Sequence, residues 1–282
     1  MSKISLTKEK ETLFIPLFGK ATESQKNNPI LVDEKAIEII NHIDYDFSSL
    51  RIPDKTNTMM SLRARLIDNC VKDFLVQNND CVALHLGCGL DSRYDRIADE
   101  QVDWYDIDFL EVIEVRQVFY QESERYHLIG SSVMESEWLA RIPVNHQNYI
   151  VIAEGLLMYL RENEIKSLLK SLQERLGDFT LVIDAFSVFT SRKVSSHPSL
   201  KQTGASIHWG IDDPRDLEQW GLGIRLSDQI YFTSNDLISQ LAPGFRAMYK
   251  IADKFPFIKN AHRILIYQVI KGTGFLTTFR SG

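Results

Sequence analysis

The stretch Val82-Ala83-Leu84-His85-Leu86-Gly87-Cys88-Gly89-Leu90-Asp91-Ser92-Arg93 decides the fold. It is a short apolar run that passes into a glycine-punctuated turn. Such a run reads as a strand of a parallel sheet, where both faces are covered and the strand loses polar alternation. Gly87 and Gly89 lack Cβ atoms, so the backbone can turn sharply at the carboxyl end of the strand and come close to a ligand. In open α/β sheets that end is where cofactors bind.

A second strand pattern, Val102 to Phe109 (V-D-W-Y-D-I-D-F), ends in acids about 20 residues beyond the glycines, the spacing at which nucleotide-binding folds place a carboxylate for ribose hydroxyls. Asp106 and Asp108 are the candidates. The full G-x-G-x-x-G fingerprint is missing, because Ser92 stands at the third glycine position. That argues against a pyrophosphate-containing dinucleotide and in favour of a nucleoside without phosphates, such as S-adenosylmethionine.

Strand-like runs alternate with helical ones at 81–87, 102–108, 126–130, 148–154, 179–186, 229–233 and 263–270. This alternation predicts an α/β fold, a mostly parallel sheet with helices on both faces. The first 75 residues read as a helical cover: Asp33 to Ile43 and Leu62 to Leu75 both repeat apolar residues at helical spacing. Between Phe186 and Leu226 lies a long segment containing Ser195, Ser196, Pro198, Gly204, Gly210 and Pro214. A structureless loop of that length is improbable in a compact domain, so residues 188–225 are expected to form an inserted lid with some helix. Without linkers or repeats, residues 1–282 read as one domain.

At 282 residues and 44% hydrophobic the chain can bury a substantial core. Its formal charge of −6 offers no basic face for a nucleic-acid backbone. No apolar run is long enough to span a bilayer and no signal peptide is evident, so a cytoplasmic protein is expected. The three cysteines, Cys70, Cys81 and Cys88, show no metal-ligand spacing and are expected to be reduced, with Cys88 a packing residue; no metal site is expected.

With these residues in view, the chain resembles the leucine carboxyl methyltransferase superfamily of S-adenosylmethionine-dependent O-methyltransferases, in particular its bacterial polyketide branch. The resemblance rests on L-F-G-K-A-T-E-S and P-I-L-V-D-E-K-A near residues 17–36, D-Y-D-F at 44–47, L-R-A-R-L-I-D at 62–68, and L-G-C-G-L-D-S-R with the Y-D-I-D-F strand end. It continues through S-S-V-M-E-S-E-W at 131–138, A-E-G-L-L-M-Y-L at 153–160 and I-H-W-G-I-D-D-P at 207–214. It implies a class I methyltransferase fold of Rossmann-like type, with an antiparallel edge formed by the last two strands. The activity implied is methylation of a hydroxyl or carboxyl oxygen on a small, polyketide-like metabolite. Two alternatives stay open, a protein carboxyl methyltransferase and a non-catalytic S-adenosylmethionine-binding protein.

The resemblance also assigns residues. Arg63 aligns with an arginine that holds the methionine carboxylate, a task suited to a guanidinium fork, whereas Arg65 would point elsewhere. Lys20 would assist the same carboxylate. Gly87 and Gly89 would lie against the cofactor, Asp108 would bind the ribose with Asp106 as second choice, and Glu154 would sit beside the cofactor. Ser132 and Val133 replace the Asp-Leu pair that contacts adenine in the eukaryotic enzymes. Asp91 reads as a helix N-cap.

On the acceptor side, Tyr159, Phe186, His208 and Trp209 fall in segments that should border the pocket. Aromatic walls suit a planar or apolar acceptor. His208 is the candidate base, since an imidazole titrating near neutrality can deprotonate a hydroxyl. The other histidines, His42, His85, His127, His146, His197 and His262, show no triad or metal spacing and read as surface, strand or loop residues.

Overall fold

The computed structural model describes residues 11–50, 52–97, 101–195 and 206–271. Three helices come first: α1 (Glu11–Ser24), α2 (Glu34–His42) and α3 (Asp54–Gln77). Asp33 starts α2 by accepting a hydrogen bond from the Ala36 amide at 2.8 Å, one of the amides that a helix's first turn leaves without a partner. The α/β part follows: β1 (Cys81–Leu86), α4 (Arg93–Ile97), β2 (Val102–Asp108), α5 (Leu110–Phe119), β3 (Tyr126–Gly130), β4 (Asn148–Ala153), α6 (Glu162–Leu176), β5 (Phe179–Phe186) and α7 (Val188–Ser195). The chain then runs through β6 (Ile224–Tyr231), α8 (Pro243–Ala252), α9 (Pro256–Lys259) and β7 (His262–Val269).

These strands form one seven-stranded sheet in the order β3-β2-β1-β4-β5-β7-β6. The first five are parallel and β7 is antiparallel to both neighbours. The order reverses between β1 and β4, and such a switch point opens a crevice at the carboxyl ends of the strands. β7 runs the other way, so its first residue, His262, lies opposite Phe186 at that same end.

Two apolar layers cover the sheet. On one face α1 packs along α2 and α3, and Phe14, Leu17, Ile39, Leu62 and Ile67 meet Ala83, Trp104, Ile150, Val182 and Ile264. On the other, Ile165, Leu168, Leu169 and Leu172 of α6, the apolar stripe of an amphipathic helix, cover Leu84, Val151, Ile183 and Leu265.

The expected strands appear within a residue or two except the sixth, which starts at Ile224 and not at residue 229. It is an edge strand with a register shift between Leu226 and Asp228, and its broken alternation hides its first half from a periodicity argument. Of the expected lid, α7 and a 3₁₀ helix over Pro214–Trp220 are seen, and residues 196–205 fall outside the described residues. No helix among the described residues is long and apolar enough to cross a membrane.

Candidate active site

Successive strand side chains alternate between faces, so one set from each strand points toward α1 to α3. Along that set the chemistry changes from apolar to ionic at the carboxyl ends: Trp104, Asp106 and Asp108; Ile150, Ile152 and Glu154; Val182 and Asp184. Buried carboxylates are costly without partners. Here the partners are cations from the helices.

After β1 the backbone takes a left-handed conformation at Gly87 (φ 63°) and again at Gly89 (φ 52°). A Cβ at Gly87 would also stand 3.0 Å from the Leu156 side chain, so only glycine suits this corner. Asp108 ends β2 directly beside it. Its Oδ2 accepts from the Gly89 amide at 2.7 Å and its Oδ1 from the Phe109 amide at 2.8 Å. Burial raises the Asp108 pKa against the pull of these amides, and each carboxylate oxygen retains a further lone pair for a ligand.

Arg63 of α3 meets two acids. Its Nε donates to Glu154 at 2.8 Å and its Nη1 to Asp184 at 3.1 Å. Nη2 faces Gly155, where an added Cβ would stand 3.6 Å from it, so glycine leaves space beside the guanidinium. The Gly155 amide in turn donates to Asp184 at 2.6 Å. Arg93, fully buried, donates to Glu154 and to Asp68 (2.8 Å), and Arg96 bridges Asp33, Asp68 and Asp91 at 2.7 to 2.8 Å. Lys20 is buried too, its Nζ 2.6 Å from Asp91.

Three expectations need correction. Asp106 does not border the crevice: it is wholly buried, with Oδ1 taken by Trp104 (2.9 Å) and His85 (3.1 Å) and Oδ2 by Tyr126 (2.6 Å) and Arg116. Burial pushes its pKa up, but Arg116 outweighs that and holds it at about 2. Asp91 is not a simple N-cap; it is shared among Lys20, Arg93 and Arg96, because three cations outbid one helix amide. Trp209 lies buried in the α6-side core among Leu157, Ala185 and Ile211, since a large ring is stabilised most by removal from water.

The remaining expected residues are spread around the rim. Ser132 and Val133 are half-buried after β3, with Ser132 Oγ accepting from the Met134 amide at 3.2 Å. Tyr159 is partly exposed in the fields of Arg63 and Asp184, and burial pushes its phenol pKa up. His208 is exposed, and its backbone amide bonds the Met158 carbonyl at 2.8 Å. Burial raises the Cys88 thiol pKa well above its usual range, which suits packing and not nucleophilic attack.

Sequence reading missed Asp184, Arg93, Arg116 and His262. The acid at the end of the β5 run was a visible signal for Asp184, since it repeats the strand-end acid of β2 and β4. His85, expected within the first strand, lies there and is buried, with Nδ1 against Asp106 and Nε2 receiving Arg93 Nη1 at 2.9 Å.

This ionic layer makes stability sensitive to acid. Burial raises the carboxylate pKa values of Asp106, Asp184, Asp68 and Asp91, but paired cations overcome it and all four lie below the ordinary 3.8. Depressed carboxylates stabilise the fold fully above their unfolded pKa, and that contribution is lost as pH falls from about 4 through the folded values. For Asp106, at about 2, the shift corresponds to about 2 kcal/mol. Urea midpoints are expected to hold between pH 7 and 5 apart from any histidine contribution, then drop between pH 4 and 3. A midpoint unchanged from pH 5 to 3 would contradict this electrostatic account.

A family model described as leucine carboxyl methyltransferase matches residues 14–173, which take in α1 to α6 nearly whole and so every strand end of this layer up to Glu154. The chain belongs to the leucine carboxyl methyltransferase family. It is 36% identical over 265 residues to the tetracenomycin polyketide synthesis O-methyltransferase TcmP of Streptomyces glaucescens, covering 94% of this chain and 98% of that one. It is 30% identical over 252 residues to the S-adenosyl-L-methionine-dependent methyltransferase dpfgK of Gibberella zeae, covering 81% and 84%. Among solved structures, a SAM-dependent methyltransferase from Anabaena variabilis superposes with a TM-score of 0.51 at 12% identity, over 73% of this chain and 84% of that one, which shows a shared fold. The family member described here is an S-adenosylmethionine-dependent methyltransferase with the class I, Rossmann-like fold.

Proposed function

We propose that the crevice at the carboxyl ends of β1, β2, β4 and β5 transfers the methyl group of S-adenosylmethionine to an oxygen of a small-molecule acceptor. The observation that carries this reading is the convergence on one rim of three features. They are the left-handed Gly87–Gly89 turn, the Asp108 carboxylate bonded to it, and Arg63 with an open edge beside Gly155.

These residues fit the cofactor. Asp108 would receive the ribose hydroxyls on its remaining lone pairs, and the glycine turn would admit the nucleoside close to the main chain. Ser132 and Val133 would flank the adenine. Arg63 would take the methionine carboxylate on Nη2, with Glu154 and Asp184 fixing its orientation. Lys20, paired with Asp91, would add positive potential to that end. The cofactor supplies an electrophilic methyl group on a sulfonium sulfur. The chain contributes orientation, because methyl transfer requires the attacking oxygen and the methyl carbon to be held in line.

The relatives named for polyketide O-methylation and S-adenosylmethionine dependence support an oxygen acceptor of metabolite size. Tyr159 would be one wall of its pocket. A cytoplasmic enzyme of secondary metabolism, built as one domain, completes the reading.

Thermal denaturation tests it. S-adenosylhomocysteine at 100 times its Kd is expected to add about 2.7 kcal/mol and so raise the melting temperature by several degrees, whereas nicotinamide dinucleotides should leave it unchanged for want of the third glycine. Stabilisation by the dinucleotide and none by S-adenosylhomocysteine would reject the proposal.

A further inference from the structure

We propose that α7, α8 and α9 carry a membrane-docking surface, whose exposed apolar side chains enter the headgroup region of an anionic lipid bilayer while the basic side chains around them meet its phosphates. This goes beyond the methyl-transfer reading and stands independently of it.

The surface centres on a run that is apolar and yet solvated. Lys254-Phe255-Pro256-Phe257-Ile258 are exposed one after another, and α9, which holds the last three, has no buried residue. A helix on a globular protein ordinarily turns its apolar side chains to the core. Single exposed ones are normal, but a contiguous set marks a surface that meets something.

Two neighbouring helices extend the set. Phe189 of α7 meets Phe257 at 4.8 Å and 67°. In α8, Tyr249 is buried and Ile251 lies about 160° around the helix from it, so Ile251 points away from the core with Met248 one turn before it. The Phe255 amide bonds the Ala252 carbonyl at 3.1 Å, which folds the end of α8 straight into α9. Phe189, Met248, Ile251, Phe255, Phe257 and Ile258 are each 46 to 59% exposed. Their place in the fold is the crevice side, since α7 follows β5 and α9 precedes β7, and Phe186 and His262 pair where those two strands meet.

Charge separates this surface from the rest of the molecule. The whole chain carries −6, whereas Pro243 to Lys259 contains Arg246, Lys250, Lys254 and Lys259 against a single acid, Asp253. That acid is taken by Lys259 at 3.1 Å. Lys250 and Lys254 are exposed, and neither has an ion-pair partner among the described residues. On α7, Arg192 and Lys193 stand three and four residues beyond Phe189 and therefore share its face. Apolar side chains set among cations are the complement of an anionic membrane surface, where the rings enter the boundary of the acyl region and the cations meet the lipid charge.

The same features weigh against other occupants. A two-fold contact between copies sets a patch against itself, and would bring Arg192, Lys250 and Lys254 toward their own equivalents with like charges opposed. Small-molecule sites are concave and bury most of the ligand, whereas side chains about half exposed project from the surface. A bilayer requires only projecting apolar tips with cations around them.

Vesicle sedimentation tests the proposal. The wild type is expected to pellet with vesicles of phosphatidylcholine and phosphatidylglycerol, far less with phosphatidylcholine alone, and less again as salt screens the attraction. The double variant Lys250→Gln, Lys254→Gln should weaken binding to the anionic vesicles about fivefold for each charge removed. The double variant Phe255→Ser, Phe257→Ser should weaken it by roughly tenfold or more. In Phe257→Trp, the added indole should shift its emission to shorter wavelength when anionic vesicles are present, because the ring leaves water. All four side chains are exposed, so melting temperature and S-adenosylhomocysteine binding should match the wild type in every variant. A wild type that stays in solution with anionic vesicles overturns the proposal. So does vesicle binding that either double variant leaves unchanged, or an emission that does not move in Phe257→Trp. A dimer that forms with rising concentration and is dissociated by Phe255→Ser, Phe257→Ser, without vesicle binding, would also overturn it and assign the surface to a second copy.

Discussion

Arg116→Ala is expected to destabilise the protein by about 3–5 kcal/mol, the usual consequence of removing one member of a buried ion pair. Arg116 is fully buried, and its Nη2 holds Asp106 Oδ2 and the Tyr126 hydroxyl. Its Nη1 bonds the carbonyls of Gly89 (2.9 Å) and Asp91 (2.8 Å), and its guanidinium lies over the Tyr120 ring at 4.3 Å. Truncation leaves a carboxylate in the core, where burial raises its pKa, and frees two carbonyls of the glycine turn. The loss therefore reaches function as well, since that turn carries the face on which Asp108 sits. Urea unfolding at pH 7 provides the measurement. A loss below 1 kcal/mol would mean that Asp106 finds water or another cation, and the buried layer would then be less closed than its geometry shows. Asp106→Asn should cost less, because an amide keeps most of the hydrogen bonds without the charge.

The fold was legible because its signals are local. Strand runs such as Cys81 to Leu86 and Phe179 to Phe186 are nearly continuous apolar stretches, and Gly87 and Gly89 mark a turn that other residues strain to adopt. The site was legible only in part, for a reason that the period of a strand explains. Asp106 and Asp108 share a face of β2 and look equivalent in sequence, and what separates them is depth. Asp106 sits one pleat deeper, level with His85 of β1 and within reach of Arg116, whereas Asp108 sits at the strand end beside the Gly89 amide. No periodicity reports which acid a cation ten residues downstream will reach. Asp184 and His262 are 78 residues apart and meet only because β7 enters the sheet antiparallel beside β5. Topology makes that pairing, and a single sequence does not display it.

Arg63→Ala is expected to weaken S-adenosylhomocysteine binding by about 1.5–3 kcal/mol, the range for a hydrogen bond to a charged group. Its location sharpens the prediction. Arg63 is the only arginine that bonds both Glu154 and Asp184 among the described residues, so its removal leaves two acids facing the space where a carboxylate ligand would sit. Their repulsion of that ligand should push the loss toward the upper end of the range, and added salt should relieve it little, since charges this buried are screened far less than exposed ones. Arg65, two residues on, supplies the control. It lines a separate polar cavity with Asp33, Lys35, Asp68 and Lys72, on another side of α3. Arg65→Ala should therefore leave affinity unchanged. Calorimetric titration of both variants decides the matter: equal losses would mean a general effect of charge on α3, and a silent Arg63→Ala would remove this residue as the carboxylate anchor. An intermediate result is expected for Arg63→Lys, because an ammonium can approach one of the two acids but cannot reproduce the fork that spans both and still reaches the ligand.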